Sequence, residues 1–232
     1  MSDPRQIILD CDPGHDDAEG QSACCVPARQ QTGPYDRWVR EPLNQDEYFD
    51  LDMQEPSGPG PGAREFAEQL VQWAASPDPD SELMPARLLT FAGERFDMLG
   101  DQETAEQCLT QALAAGDWGE GLDPRCFLIS LCLDQDRMDE ALEHDGDLRR
   151  SRPDDVSNYA FMGDQWWDHG DLGRALGWLN RGLDYSERTG SAGEAQILML
   201  CQTRWHVRKA QGQEADAYDQ RAISAAKHLF PD

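Results

Sequence analysis

Basic residues are scarce in this chain of 232 residues: 20 Lys plus Arg face 45 Asp plus Glu, only Lys209 and Lys227 are lysines, and the formal net charge is −25. A surface this acidic repels phosphate backbones and anionic lipid headgroups, so nucleic-acid and membrane-surface binding are disfavoured and basic partners are favoured. Long apolar runs are missing as well. None approaches the roughly 18 residues that a membrane span needs, and the opening "MSDPRQIILDCDP" lacks the charged start and long apolar centre of a secretory signal. A soluble, cytoplasmic protein is the expectation.

The chemistry of common enzymes is also thinly represented. Seven cysteines form no CxxC pair and stand near no histidine at zinc spacing, which fits reduced thiols rather than a zinc site or a disulfide framework. Cys24-Cys25 has only Arg29 as an electropositive neighbour, so inert thiols are expected there. No Walker loop, dinucleotide turn or GxSxG string occurs, and His144, His169, His206 and His228 stand apart from any nucleophile. Alternating β-branched residues are absent except for Ile7 to Leu9.

What is present changes in texture near residue 62. Residues 19–62 hold turn formers, acids and scattered aromatics without a sustained period, ending in a Pro-Gly linker at 56–62, and read as an irregular or disordered acidic segment. Within it, Tyr48, Phe49, Leu51 and Met53 among acids form either a short docking motif or a loosely packed strip. From 63 to 232 helical signals take over. In "AREFAEQLVQWAA", Phe66, Leu70, Trp73 and Ala74 share one face. Short breaks at "LGDQ", "HGDL" and "AQGQ" separate helix-length segments. Asp123-Pro124 offers an N-cap with proline at the first helical position, and Ser191 with Glu194 has capping-box spacing.

The helices repeat. Leu89, Ala92-Gly93, Phe96, Gly100, Ala105, Leu109 and Ala112 are matched in class and offset by Tyr159, Met162-Gly163, Trp166, Gly170, Ala175, Leu179 and Gly182. A weaker copy lies between them at Leu128, Cys132, Ala141, Leu148 and Pro153, so the marker alanines Ala105, Ala141 and Ala175 recur at intervals of 36 and 34 residues. A fourth, degenerate copy centres on Ala215. The small residues let two helices cross closely, and the large ones fill the groove between them.

Over about residues 83–225 this resembles the tetratricopeptide repeat, a helix-turn-helix unit of about 34 residues with W-x2-L-G-x2-Y, then A-x3-F, then P. Ala92-Gly93 and Met162-Gly163 match the Leu-Gly pair, Phe96 and Trp166 the Tyr, the three alanines the small residue, and Leu109 and Leu179 the Phe. The second copy departs from the pattern at Arg125, Ile129 and Asp145. The expected fold is all-α: helix-turn-helix units stacked as a short α-solenoid, preceded by an irregular N-terminal segment. The resemblance implies a concave face lined by the first helix of each unit, which would hold a peptide or partner helix. It maps Arg87, Glu94 and Asp97 onto that face from the first copy, Asp123, Ser130 and Asp134 from the second, and Asp164, Trp167 and Asp168 from the third. Family members that clamp a C-terminal carboxylate use Lys, Arg and Asn there, so that ligand is disfavoured. Two readings of these acids stand: a groove for an Arg- or Lys-bearing protein segment, with an indole to take a cation on its face, or a solvated helix surface. No cofactor is required by either.

The opening stretch "IILDCDPGHDDA" at residues 7–18 has a resemblance of its own, to the N-terminal signature of nucleoside hydrolases that cleave N-glycosidic bonds with bound calcium. The resemblance implies Asp12 as calcium ligand and general base, Asp17 as calcium ligand, Asp16 as a ribose contact and Asp10 as a supporting carboxylate, an oxygen-rich set suited to a hard cation. Only residues 1–18 carry it. The apolar helix that follows the motif in that family is replaced by "EGQSACCVPARQQTGP", and no run of buried strands follows to build its α/β sheet. The sequence therefore reads as a motif fragment ahead of a non-catalytic interaction module, with a calcium-dependent nucleoside N-ribohydrolase as the alternative.

Overall fold

The computed structural model describes residues 44–229 apart from 55–59, 61 and 79. Among the described residues there are ten helices and no strand: α1 Gln45–Gln54, α2 Ala63–Ala75, α3 Pro85–Met98, α4 Gln102–Ala115, α5 Pro124–Asp134, α6 Met138–Ser151, α7 Val156–Asp168, α8 Leu172–Thr189, α9 Glu194–Ala210 and α10 Ala217–Leu229. The pairs α3–α4, α5–α6, α7–α8 and α9–α10 pack as hairpins, α2, α4 and α8 each pack on the next helix, and the first helices α3, α5, α7 and α9 touch in succession. The protein is an all-α helical repeat.

The Gly-Asp breaks explain how each hairpin turns. Gly100, Asp136, Gly170 and Gly212 adopt left-handed backbone, with φ of 75, 57, 87 and 71°. This lets the next amide reach back over the end of the helix: Asp101 N donates to Phe96 O, Arg137 N to Cys132 O and Asp171 N to Trp166 O at 2.8 Å, and Gln213 N to Arg208 O at 3.0 Å. The aspartate after the glycine then caps the second helix, Asp101 accepting from Thr104 N and Asp171 from Arg174 N. In the second unit Asp136 stands at the glycine position, which a short polar side chain tolerates, and Arg137 leaves α6 without a side-chain cap.

Inside a hairpin the close approach depends on glycine. A Cβ on Gly93 would lie 2.6 Å from Leu109 Cγ, and one on Gly163 would lie 2.5 Å from Leu179 Cδ2. In the second unit the equivalent positions hold Ile129 and Asp145, so the bulky residue stands on the first helix and a small polar one on the second. Asp145 is buried, and its Oδ1 accepts the indole N–H of Trp166 at 2.9 Å and of Trp178 at 2.7 Å. The departure from the repeat pattern is thus a polar joint between the second and third units.

Two expectations are corrected. Residues 45–54, read as part of an irregular segment, form α1. Asn44 and Glu47 cap its start reciprocally, Glu47 N donating to Asn44 Oδ1 at 2.9 Å and Asn44 N to Glu47 Oε2 at 3.1 Å, while Tyr48 and Leu51 are buried. Two buried apolar residues do not give a helical period, and Phe49 is half exposed. The N-cap of α9 is Gly193 rather than Ser191, with Gly193 N donating to the Gln196 side chain at 2.9 Å. Asp123 caps α5 with Pro124 at the first helical position, as its sequence indicates.

Candidate partner-binding face

The first helices stack side by side, so equivalent positions form rows. Phe91, Phe127 and Phe161 recur at the same 36- and 34-residue intervals as the marker alanines, and the Phe127 and Phe161 rings meet at 5.3 Å between α5 and α7. Ser130 Oγ donates to Gln165 Oε1 at 2.8 Å across the same pair of helices. These contacts fix the spacing of whatever the first helices carry at their exposed edges.

Those edges carry acid. Asp97, Asp134 and Asp168 occupy the last or next-to-last residue of α3, α5 and α7, and Glu94 and Asp164 lie one turn earlier on α3 and α7. Glu94, Asp97 and Asp164 are all held above their ordinary values of 4.5 and 3.8, chiefly by burial. Neighbouring carboxylates add to the shift, Asp134 acting on Asp97, Asp168 on Asp164 and Asp97 on Glu94; Arg87 opposes it at Glu94, as does a hydrogen bond from Thr203 at Asp164. Among the described residues no lysine or arginine forms an ion pair with Asp97, Asp134, Asp164 or Asp168.

The other residues expected on this face have other surroundings. Asp123 is 4% exposed, caps α5 and is held in a two-pronged pair by Arg125, at 2.9 Å from Nε and 2.7 Å from Nη2, so it faces no groove. The Arg87 guanidinium lies 4.3 Å from the centre of the Phe91 ring. Trp167 is partly buried and stacks on His206 of α9 at 5.5 Å and 12°, which extends the face to the fourth unit. A cluster that the sequence reading did not single out closes that unit: buried Arg204 pairs with Asp219 at 2.5 Å and Asp216 at 2.6 Å, and Arg208 with Asp219 at 2.8 Å.

Asp10, Asp12, Asp16 and Asp17 lie outside the described residues. Among the described residues no group of three or more His, Cys, Asp or Glu is arranged to hold a metal ion. Cys108, Cys126, Cys132 and Cys201 are buried, and burial pushes all four thiols up, away from the reactive thiolate. No helix among the described residues is long and apolar enough to cross a membrane. Comparisons with protein families, curated proteins and solved structures give no match.

The carboxylates set a pH dependence. A buried acid whose folded value is raised binds more protons in the folded than in the unfolded state, so Glu94, Asp97 and Asp164 destabilise at neutral pH and cease to do so as pH falls through their raised values. Asp101 beside Arg64 and Asp216 beside Arg204 are shifted down, so their contribution is present above the ordinary value of 3.8 and is lost as pH falls below it. The thermal midpoint should therefore be higher just above the ordinary values of 4.5 and 3.8 than at neutral pH, and should drop again once pH falls below 3.8. A midpoint that falls steadily between the first two conditions would contradict the assignment.

Proposed function

We propose that this chain is a non-catalytic, tetratricopeptide-like scaffold whose first-helix face binds a basic or amphipathic segment of a partner protein. The observation that carries the reading is the row Asp97, Asp134 and Asp168 at the C-terminal ends of α3, α5 and α7. A helix C-terminus already bears negative partial charge, so each carboxylate there costs about 0.3–1 kcal/mol, toward the lower end where it is exposed. The same chain places cations where stability favours them, with Arg149 and Arg150 in the last turn of α6 and Arg208 and Lys209 in the last turn of α9. Three unpaired acids in the disfavoured place, repeated unit by unit, are accounted for by an incoming cation that offsets the cost.

Arginine or lysine side chains spaced along an extended or helical segment would meet Asp97, Asp134 and Asp168 in turn, with Asp164 and the Trp167–His206 stack at the far end. Charge pairing of this kind sets association rate and salt sensitivity more than affinity. Replacing Asp97, Asp134 and Asp168 together by lysine should abolish capture of partner proteins from a lysate while leaving helical content unchanged, read by affinity purification and circular dichroism. Undiminished capture by the folded variant would refute the reading. The calcium-dependent nucleoside hydrolase alternative rests on the string at 7–18 alone, and no observation among the described residues favours it.

A further inference from the structure

The arginine-bearing end of the same face is covered by the chain itself. α1 carries Asp46, Glu47, Asp50 and Asp52 and no basic residue. Its Tyr48 ring lies parallel to Phe91, with centres 4.1 Å apart and planes at 7°, and it also stacks with Phe66 of α2 at 6.3 Å. Since the Arg87 guanidinium sits 4.3 Å from the same Phe91 centre, it must cover the opposite face of that ring. Arg95, over the Phe66 ring at 5.8 Å, hydrogen-bonds to Tyr48. Leu51, three residues on, is 3% exposed in the same cluster.

These contacts have the form of a ligand in a pocket: an aromatic anchor stacked on two phenylalanines and hydrogen-bonded by Arg95, an aliphatic one beside it, both carried on an acidic helix. The connection differs from the turns inside the next three hairpins. Successive helices of the next three hairpins are joined by three residues, 99–101, 135–137 and 169–171, whereas α1 is joined to α2 by the Pro- and Gly-rich stretch "EPSGPGPG".

We propose that the cleft between α2 and α3 is a docking site for an acidic helical segment carrying Tyr and Leu three residues apart, that residues 45–51 occupy it in cis, and that a partner segment of the same chemistry exchanges with them. A tether of this length presents its own segment at an effective concentration of the order of millimolar, so a free ligand competes poorly until the cis segment is weakened. This goes beyond the basic-partner reading, because its occupant is acidic, and the two stand or fall separately.

The probe is a fluorescein-labelled peptide of residues 44–54, titrated by anisotropy into the full chain and into its Tyr48→Ala, Leu51→Ala variant. The variant should bind at least about tenfold more tightly than the unaltered chain, and adding Arg87→Glu and Arg95→Glu should remove that binding. A variant of native helicity that binds no better than the unaltered chain would overturn the proposal. Should the variant lose helicity, hydrogen exchange on the unaltered chain decides. Amides of Tyr48 to Leu51 exchanging at least about tenfold faster than those of Leu88 to Phe91 agree with a docked segment, and equal protection overturns it.

Discussion

Replacing Asp145 by alanine is expected to cost about 3–5 kcal/mol of folding stability, the range seen when one member of a buried charged cluster is removed. Asp145 is 3% exposed, and Trp166 and Trp178, which both donate to its Oδ1, are fully buried. Without the carboxylate two indole N–H groups lose their acceptor in a site that water does not reach, at about 1–3 kcal/mol for each group left unsatisfied. Arg149 is stranded as well. Its Nε lies 2.8 Å from Asp145 Oδ2, paired by charge without hydrogen-bond alignment, and its guanidinium lies 5.4 Å from the Trp178 ring. Asp145→Asn keeps an acceptor for the indoles and should cost less than half as much. Urea titrations followed by tryptophan fluorescence separate the two, and a loss below about 1 kcal/mol for the alanine variant would show that the joint is not structural.

The second large effect concerns Gly163. Even alanine there places a Cβ within 2.5–2.6 Å of Leu179 Cδ2 and Cγ, and Leu179 is fully buried, so its side chain has no solvent-side space to move into. Overpacking at such a contact costs about 1–3 kcal/mol for alanine, and valine should cost more. Because the clash is with one named side chain, it can be isolated. In a double-mutant cycle of Gly163→Ala with Leu179→Ala the two losses should fail to add, with the pair less destabilised than the sum by about 0.5–3 kcal/mol. Additive losses would mean that the helices cross elsewhere.

Both sites bear on how much could be read beforehand. The alternation of Gly93 with Leu109 and of Gly163 with Leu179, spaced around Gly100 and Gly170, was visible in residue classes because a close helix crossing permits few substitutions. The Gly-Asp breaks were visible because one residue must take positive φ and the next must cap a helix. Asp145 was visible only as a departure, since nothing local to it says that two tryptophans, 21 and 33 residues further on, donate to it. The helix α1 is not legible in its own residues, because the burial of Tyr48 depends on Phe66 and Phe91 rather than on a local pattern. The row of Phe91, Phe127 and Phe161 could have been found by carrying the alanine intervals to neighbouring positions.

For the candidate face, the acids were named from the repeat, but their meaning was not. Asp123 looked equivalent to its neighbours, and only geometry shows it spent on capping α5 and pairing with Arg125. That Asp97, Asp134 and Asp168 each end a first helix follows from where the turns fall, and this changes them from surface charge into charge placed at a cost.

Under the proposed function this cost is retained for binding. The most direct measurement compares unaltered chain with the Asp97→Asn, Asp134→Asn, Asp168→Asn variant for thermal midpoint and for yield of captured partner in one affinity purification. Removing three charges from helix C-termini should raise the midpoint, by about 1 kcal/mol of stability in total because Asp134 and Asp168 are exposed, while the yield falls at least about tenfold. A midpoint that drops, or a yield that does not change, would contradict the account.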